Sequence, residues 1–130
     1  MPYYFDSSAL TKLVVVEAET ESLREWMTVT HIDRVASILA KAELLRAVNR
    51  NSPDRAAQAL IVISSMYFLG VTRSIIDLAG ALGPVSLRTF DAIHLATAME
   101  LGSELDGIVT YDRRLADAAH THGLQVVVPA

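Results

Sequence analysis

At 130 residues, 52% of them hydrophobic, the chain is long enough to bury a core as a single domain, residues 1–130, and the absence of cysteine excludes both a disulfide framework and a thiolate zinc site. A formal charge of −4 argues against a generically basic nucleic-acid binder. Asp6 arrives too early for a secretory leader, and the longest apolar run, "ALIVISSMYFLGV" from Ala59 to Val71, is broken by Ser64 and Ser65 and is shorter than the roughly 20 residues a bilayer demands, so a cytoplasmic protein without a membrane span is expected.

Taken in chain order, Tyr3 to Phe5 reads as a short buried strand, and Ser8 to Val15 as a helix with Leu10, Leu13 and Val14 turned inward. The amphipathic stretch "ETESLREWMTV" predicts a second helix that buries Leu23, Trp26 and Met27. A brief strand at Arg34 to Ala36 leads into a helix capped by Ser37 and running to about Arg50, with Ile38, Leu44, Leu45 and Val48 as its apolar face. Pro53 suits the first turn of the next helix, a buried one ending near Tyr67, and Gly70 to Arg73 is the candidate third strand. "SIIDLAGAL" and "LRTFDAIHLATAMEL" predict two further helices, the latter stopped at Gly102. "GIVT" is then a strand, "DRRLADAAHTH" a helix closed by Gly123, and "LQVVV" the last strand. Helices alternating with short, wholly apolar strands predict an α/β fold with a parallel sheet covered on both faces.

In open parallel sheets, sites form beyond the carboxyl ends of the strands, where Asp6 and Asp112 both fall. Each also has a plain structural explanation, because an aspartate between a strand and a helix caps the helix. The hydroxyls of Ser7, Ser8 and Thr110 suit capping, or the holding of carboxylates and water. Glu43 lies mid-helix, where a surface pair with Arg46 would account for it. Asp91 stands in the first turn of its helix with Thr89 as a candidate cap, but its neighbours Phe90, Ala92, Ile93 and Leu95 imply close packing, and a buried carboxylate calls for a cationic partner. His94 reads as a packed, hydrogen-bonded histidine and Asp117 as a solvated helix residue. His120 and His122, two apart on a helix, face different ways.

The joint arrangement is more specific than its parts. "FDSSALTKL", "ASILAKAELLRAV", "LRTFDAIHLATAMELG" and "IVTYDRRLADAAHTHGLQVVVP", in that order and spacing from Tyr4 to Pro129, resemble a PIN domain of the VapC type, the ribonuclease toxin of toxin-antitoxin pairs. The resemblance implies a three-layer α/β/α domain with a central parallel sheet of four to five strands. It implies that Asp6, Glu43, Asp91 and Asp112 form a catalytic acidic cluster binding Mg2+ (or Mn2+), with Ser7 and Thr110 in support. Four carboxylates in one pocket would repel one another unless a divalent ion neutralised them, which agrees with that assignment.

The activity so implied is metal-dependent RNA endonuclease cleavage with a metal-activated water, leaving a 5′-phosphate and a 3′-hydroxyl. The implied partners are an RNA substrate, a cognate VapB-like antitoxin and a second copy of the chain in a homodimer. Without its four candidate carboxylates the chain is formally neutral, so RNA affinity has to come from the metal and from local cations near the site: Lys12, Arg46, Arg50, Arg88, Arg113 and Arg114. The alternatives are a non-catalytic PIN-fold module that binds RNA or protein, and a housekeeping RNA-processing nuclease. A phosphoacceptor receiver domain would need a late lysine, yet none follows Lys41, and a haloacid-dehalogenase-type phosphatase would need an aspartate where Ser8 stands.

Overall fold

The computed structural model describes residues 1–130. Strands β1 (Pro2–Phe5), β2 (Asp33–Ser37), β3 (Tyr67–Leu69), β4 (Gly107–Val109) and β5 (Val126–Val127) form one parallel sheet in the order β3-β2-β1-β4-β5. They are joined by helices α1 (Ser7–Val14), α2 (Thr20–Thr30), α3 (Ile38–Asn51), α4 (Ala56–Ser64), α5 (Arg73–Ala81), α6 (Thr89–Glu100) and α7 (Arg113–Thr121). No helix is long and apolar enough to cross a membrane.

Side chains alternate across the sheet and so divide the core. Phe5 and Val109 turn to one face, where Leu10, Val14, Leu23, Leu44, Val48 and Val62 of α1 to α4 cover them. Tyr4 and Ile108 turn to the other, beneath Leu95 of α6 and Leu115 and Ala119 of α7. A smaller cluster of Ile75, Ile93 and Ala96 fastens α5 to α6. The three layers expected from the sequence are therefore present, with five strands. β1 is central: the chain leaves it outward through β2 and β3, then returns to β4 on its other side, pairing Tyr4 with Ile108 and Phe5 with Val109. Gly107 opens β4 because a Cβ there would stand 3.0 Å from the Tyr3 ring and 3.2 Å from the Gln125 carbonyl.

Several expectations about these elements are corrected. The third strand is Tyr67–Leu69, not Gly70 to Arg73, and the preceding helix stops at Ser64. An apolar run has no periodicity that separates the end of a helix from the start of a strand. The hydroxyls decide it locally, since Ser64 and Ser65 turn back onto the carbonyls of Ile61 and Val62, while Thr72 accepts from the Ile75 amide and starts α5. Nor is α4 a buried helix. Only Ala59 and Val62 are buried, and Leu60 and Ile61 are each 61% exposed. In α3, Ile38 is exposed at the first turn and Ala40 joins Leu44 and Val48 in the core.

Candidate active site

The return of the chain to β4 creates a crevice at the carboxyl ends of β1 and β4, with helices leaving on opposite faces. Asp6, the residue after β1, is 3% exposed and N-caps α1. Its Oδ1 accepts from the Ala9 amide at 3.0 Å and the Ser8 hydroxyl at 2.7 Å, and its Oδ2 accepts from the Thr110 hydroxyl at 2.6 Å. Burial pushes the Asp6 carboxyl above the usual aspartate range, against the opposing pull of these donors. Ser8 and Thr110 also accept from the amides of Tyr111 and Asp112, so the hydroxyls lock the β4–α7 turn onto α1.

Asp112 follows the same logic just beyond β4. It N-caps α7 through Oδ1, which accepts from the amides of Arg114 at 2.9 Å and Leu115 at 3.2 Å, and Oδ2 takes no bond from the chain. Capping and site placement are thus one arrangement rather than rival explanations. Asp91 lies in the first turn of α6, whose N-cap is Arg88; Thr89 is already helical and makes no capping bond. The Asp91 carboxyl is also raised, by burial first, then by the charge of Asp112, with Asp6 and Glu43 adding.

Glu43 is positioned by the middle of α3 and is bound not to Arg46 but to His94, Oε1 to Nε2, at 2.6 Å. Glu43, Asp91 and Asp112 line one open cleft of about 440 Å³ together with Ser7, Arg88, Thr89 and Phe90. Asp6 lies outside this lining, buried next to Ser7. No three acidic or histidine side chains stand at the mutual spacing of a closed ligand set. The donors are all oxygen, Asp112 and Glu43 each keep an oxygen free, and Asp91 receives no hydrogen bond from the chain. Such spread, hard donors fit a cation that retains several waters rather than one held in a protein cage.

Of the supporting residues, Thr110 bonds Asp6 and Ser7 lines the cleft beside Glu43, Asp91 and Asp112, while the serine whose hydroxyl bonds Asp6 is Ser8. The reason is helical: Ser7 and Ser8 are successive residues in the first turn of α1 and point about 100° apart. Lys12 differs from the candidate arginines. It is bound to Glu17 at 3.2 Å and Glu19 at 2.9 Å and lies over the Tyr111 ring, so its charge is already committed. Arg46, Arg50, Arg88, Arg113 and Arg114 are all exposed and form no ion pair, and Arg88 borders the cleft. Asp117 is exposed, and His122 bonds the Gly83 carbonyl away from the acidic cleft. The site residue that the sequence did not mark as one is His94, because its bond to Glu43 spans 51 positions.

The PIN domain family matches residues 3–121. Ribonuclease VapC46 of Mycobacterium tuberculosis is 43% identical over 127 residues, covering 98% of this chain and 97% of that protein. Among solved structures, Mycobacterium tuberculosis VapC20, described as a sarcin-ricin loop cleaving toxin, superposes with a TM-score of 0.76 at 16% identity, over 98% of this chain and 99% of that one. A VapBC2 structure from Rickettsia felis, bound to a DNA fragment from their promoter, gives 0.77 at 13% identity with both chains fully covered. At those identities the structures bear on the fold alone. The full-length sequence identity carries the assignment: this chain belongs to the PIN-domain family and, within it, to the VapC ribonucleases.

Proposed function

We propose that this protein is the toxin of a type II toxin-antitoxin pair and hydrolyses RNA internally at the cleft of Glu43, Asp91 and Asp112, with Asp6 behind them and Mg2+ (or Mn2+) as cofactor. The observation that carries the reading is the gathering of Glu43, Asp91 and Asp112 around one cleft beyond β1 and β4, where burial raises the Asp6 carboxyl and burial together with the neighbouring carboxylates raises that of Asp91. A bound divalent cation would supply charge neutralisation and a nucleophilic water at neutral pH. The free oxygens of Glu43, Asp91 and Asp112 would hold it. Asp6, with both oxygens engaged, fixes the β1–α1 and β4–α7 junctions that set the spacing of the others. Arg88 at the rim, with exposed Arg46, Arg50, Arg113 and Arg114, would engage the phosphates on either side of the scissile bond.

A VapB-like antitoxin is the partner that membership of the VapC ribonucleases brings with it, and a homodimer acting in the cytoplasm is part of the same proposal. The test compares cleavage of a structured RNA pool by wild type and Asp91→Asn with Mg2+, with Mn2+ and with EDTA. Metal-dependent cutting that leaves 5′-phosphates and falls at least a hundredfold in the variant is expected. A 2′,3′-cyclic phosphate product, or equal cutting by the two proteins, overturns the mechanism, and a folded wild type inert on many RNAs points to a binding module. Growth arrest on induction, relieved by the neighbouring antitoxin gene, separates a toxin from a housekeeping nuclease.

A further inference from the structure

Tyr4 and His94 are core residues, 0% and 1% exposed, yet they form a polar line that ends at the cleft. The Tyr4 hydroxyl oxygen accepts from the Ser37 amide at 3.3 Å, which leaves its own proton to be donated elsewhere. Nδ1 of His94 stands 2.5 Å away. No buried side-chain polar atom in the molecule lacks a partner, and burial holds the Tyr4 phenol well above its ordinary range, so it keeps the proton it donates. With Nδ1 an acceptor, the neutral imidazole carries its proton on Nε2, which faces Glu43 Oε1 at 2.6 Å. The bonds therefore run in one direction: from the Ser37 amide to Tyr4, from Tyr4 to His94, and from His94 to Glu43.

We propose that His94, oriented by Tyr4, is a positioning residue that fixes one oxygen of Glu43 and leaves the other aimed at the cation. This rests on the reading of Glu43 as a cation-holding residue. Glu43 projects from the middle of α3 with three rotatable bonds, and its carboxylate would otherwise sample several rotamers. Held by an imidazole whose tautomer is itself fixed, it is ordered before any ion arrives, as outer partners of ligating carboxylates do in general. The line joins β1, the β2–α3 junction, α6 and α3, so it also sets α3 against α6 at the level of the site.

The experiment combines nitrogen-15 spectroscopy of the metal-free protein with Mn2+ titration of wild type, His94→Leu, His94→Gln and Tyr4→Phe, each checked for its fold by circular dichroism. Wild type should show His94 protonated at Nε2 with Nδ1 as a bare acceptor. His94→Leu should bind Mn2+ about tenfold more weakly. His94→Gln, whose amide places a donor near the Nε2 position, should recover most of that loss. Tyr4→Phe should release the tautomer and fall between the two. In a Glu43→Ala background the His94→Leu effect should vanish, which a general loss of stability would not produce. Wild-type binding with an unchanged His94→Leu affinity, or a His94 proton on Nδ1, overturns this inference alone. A wild type that binds no Mn2+ overturns it together with the cation reading of the cleft.

Discussion

Asp91 enters the first turn of α6 partly buried and facing Asp112, and its carboxyl is raised for both reasons, while Asp6 is raised by burial alone. A carboxyl raised on folding stabilises the native state fully below its unfolded value, near 3.9 for aspartate, and loses that contribution as pH climbs through the folded value. In EDTA the two groups should therefore make the protein less stable as pH rises from about 4 towards neutrality. Asp91→Asn should flatten this dependence and raise the metal-free melting temperature at neutral pH by a few degrees, even as cleavage is lost. Melting curves of wild type and variant across that pH range decide it, and a variant that melts lower at neutral pH contradicts the account. Saturating Mg2+ should reverse the order of the two proteins, because an ion bound only by the native wild-type cleft would stabilise it.

At the scale of the element, an aspartate beyond each site strand caps the helix that follows, and Asp112 allows its two duties, cap and charge, to be separated. Asparagine caps a helix about as well as aspartate but supplies no charge. Asp112→Asn should leave α7 and the melting temperature nearly unchanged, whereas Asp112→Ala should cost about 1 kcal/mol because the Arg114 and Leu115 amides then have no acceptor. Both should abolish cleavage. Denaturant unfolding set beside RNA cleavage reads the two effects, and a destabilised Asp112→Asn would mean that the charge matters to α7 itself. The same local rules made the Ser37 cap, the inward face of α1 and the strand at Gly107 legible in the sequence. They misplaced β3, because pairing with Val35 to Ser37 of β2 is what selects Tyr67–Leu69 from an apolar run with no period of its own.

On the scale of the whole molecule, the sheet order puts an acidic cleft in a chain that is neutral elsewhere, so on the proposed function RNA would have to be held by discrete cations. Arg46→Glu or Arg113→Glu should weaken RNA binding severalfold and make the salt slope shallower by roughly 0.7 for each phosphate no longer neutralised, with Mn2+ binding intact. Binding titrations at several salt concentrations measure this, and an unchanged affinity in both variants removes these arginines from the interface. The resemblance to the VapC family is what joined Glu43 and Asp91 to the acidic set; by itself the sequence determined the order of elements, a parallel sheet covered on both faces, and Asp6 and Asp112 beyond strand ends, where chemistry gathers. These follow from periodicity and capping, which act over a few residues. Only the tertiary structure decided that Glu43 takes His94 rather than Arg46, that Ser8 rather than Ser7 holds Asp6, and that Lys12 is bound to Glu17 and Glu19. Those choices depend on which helices the sheet order brings side by side and on which way each side chain leaves its turn, and no local pattern encodes a bond between residues 51 positions apart.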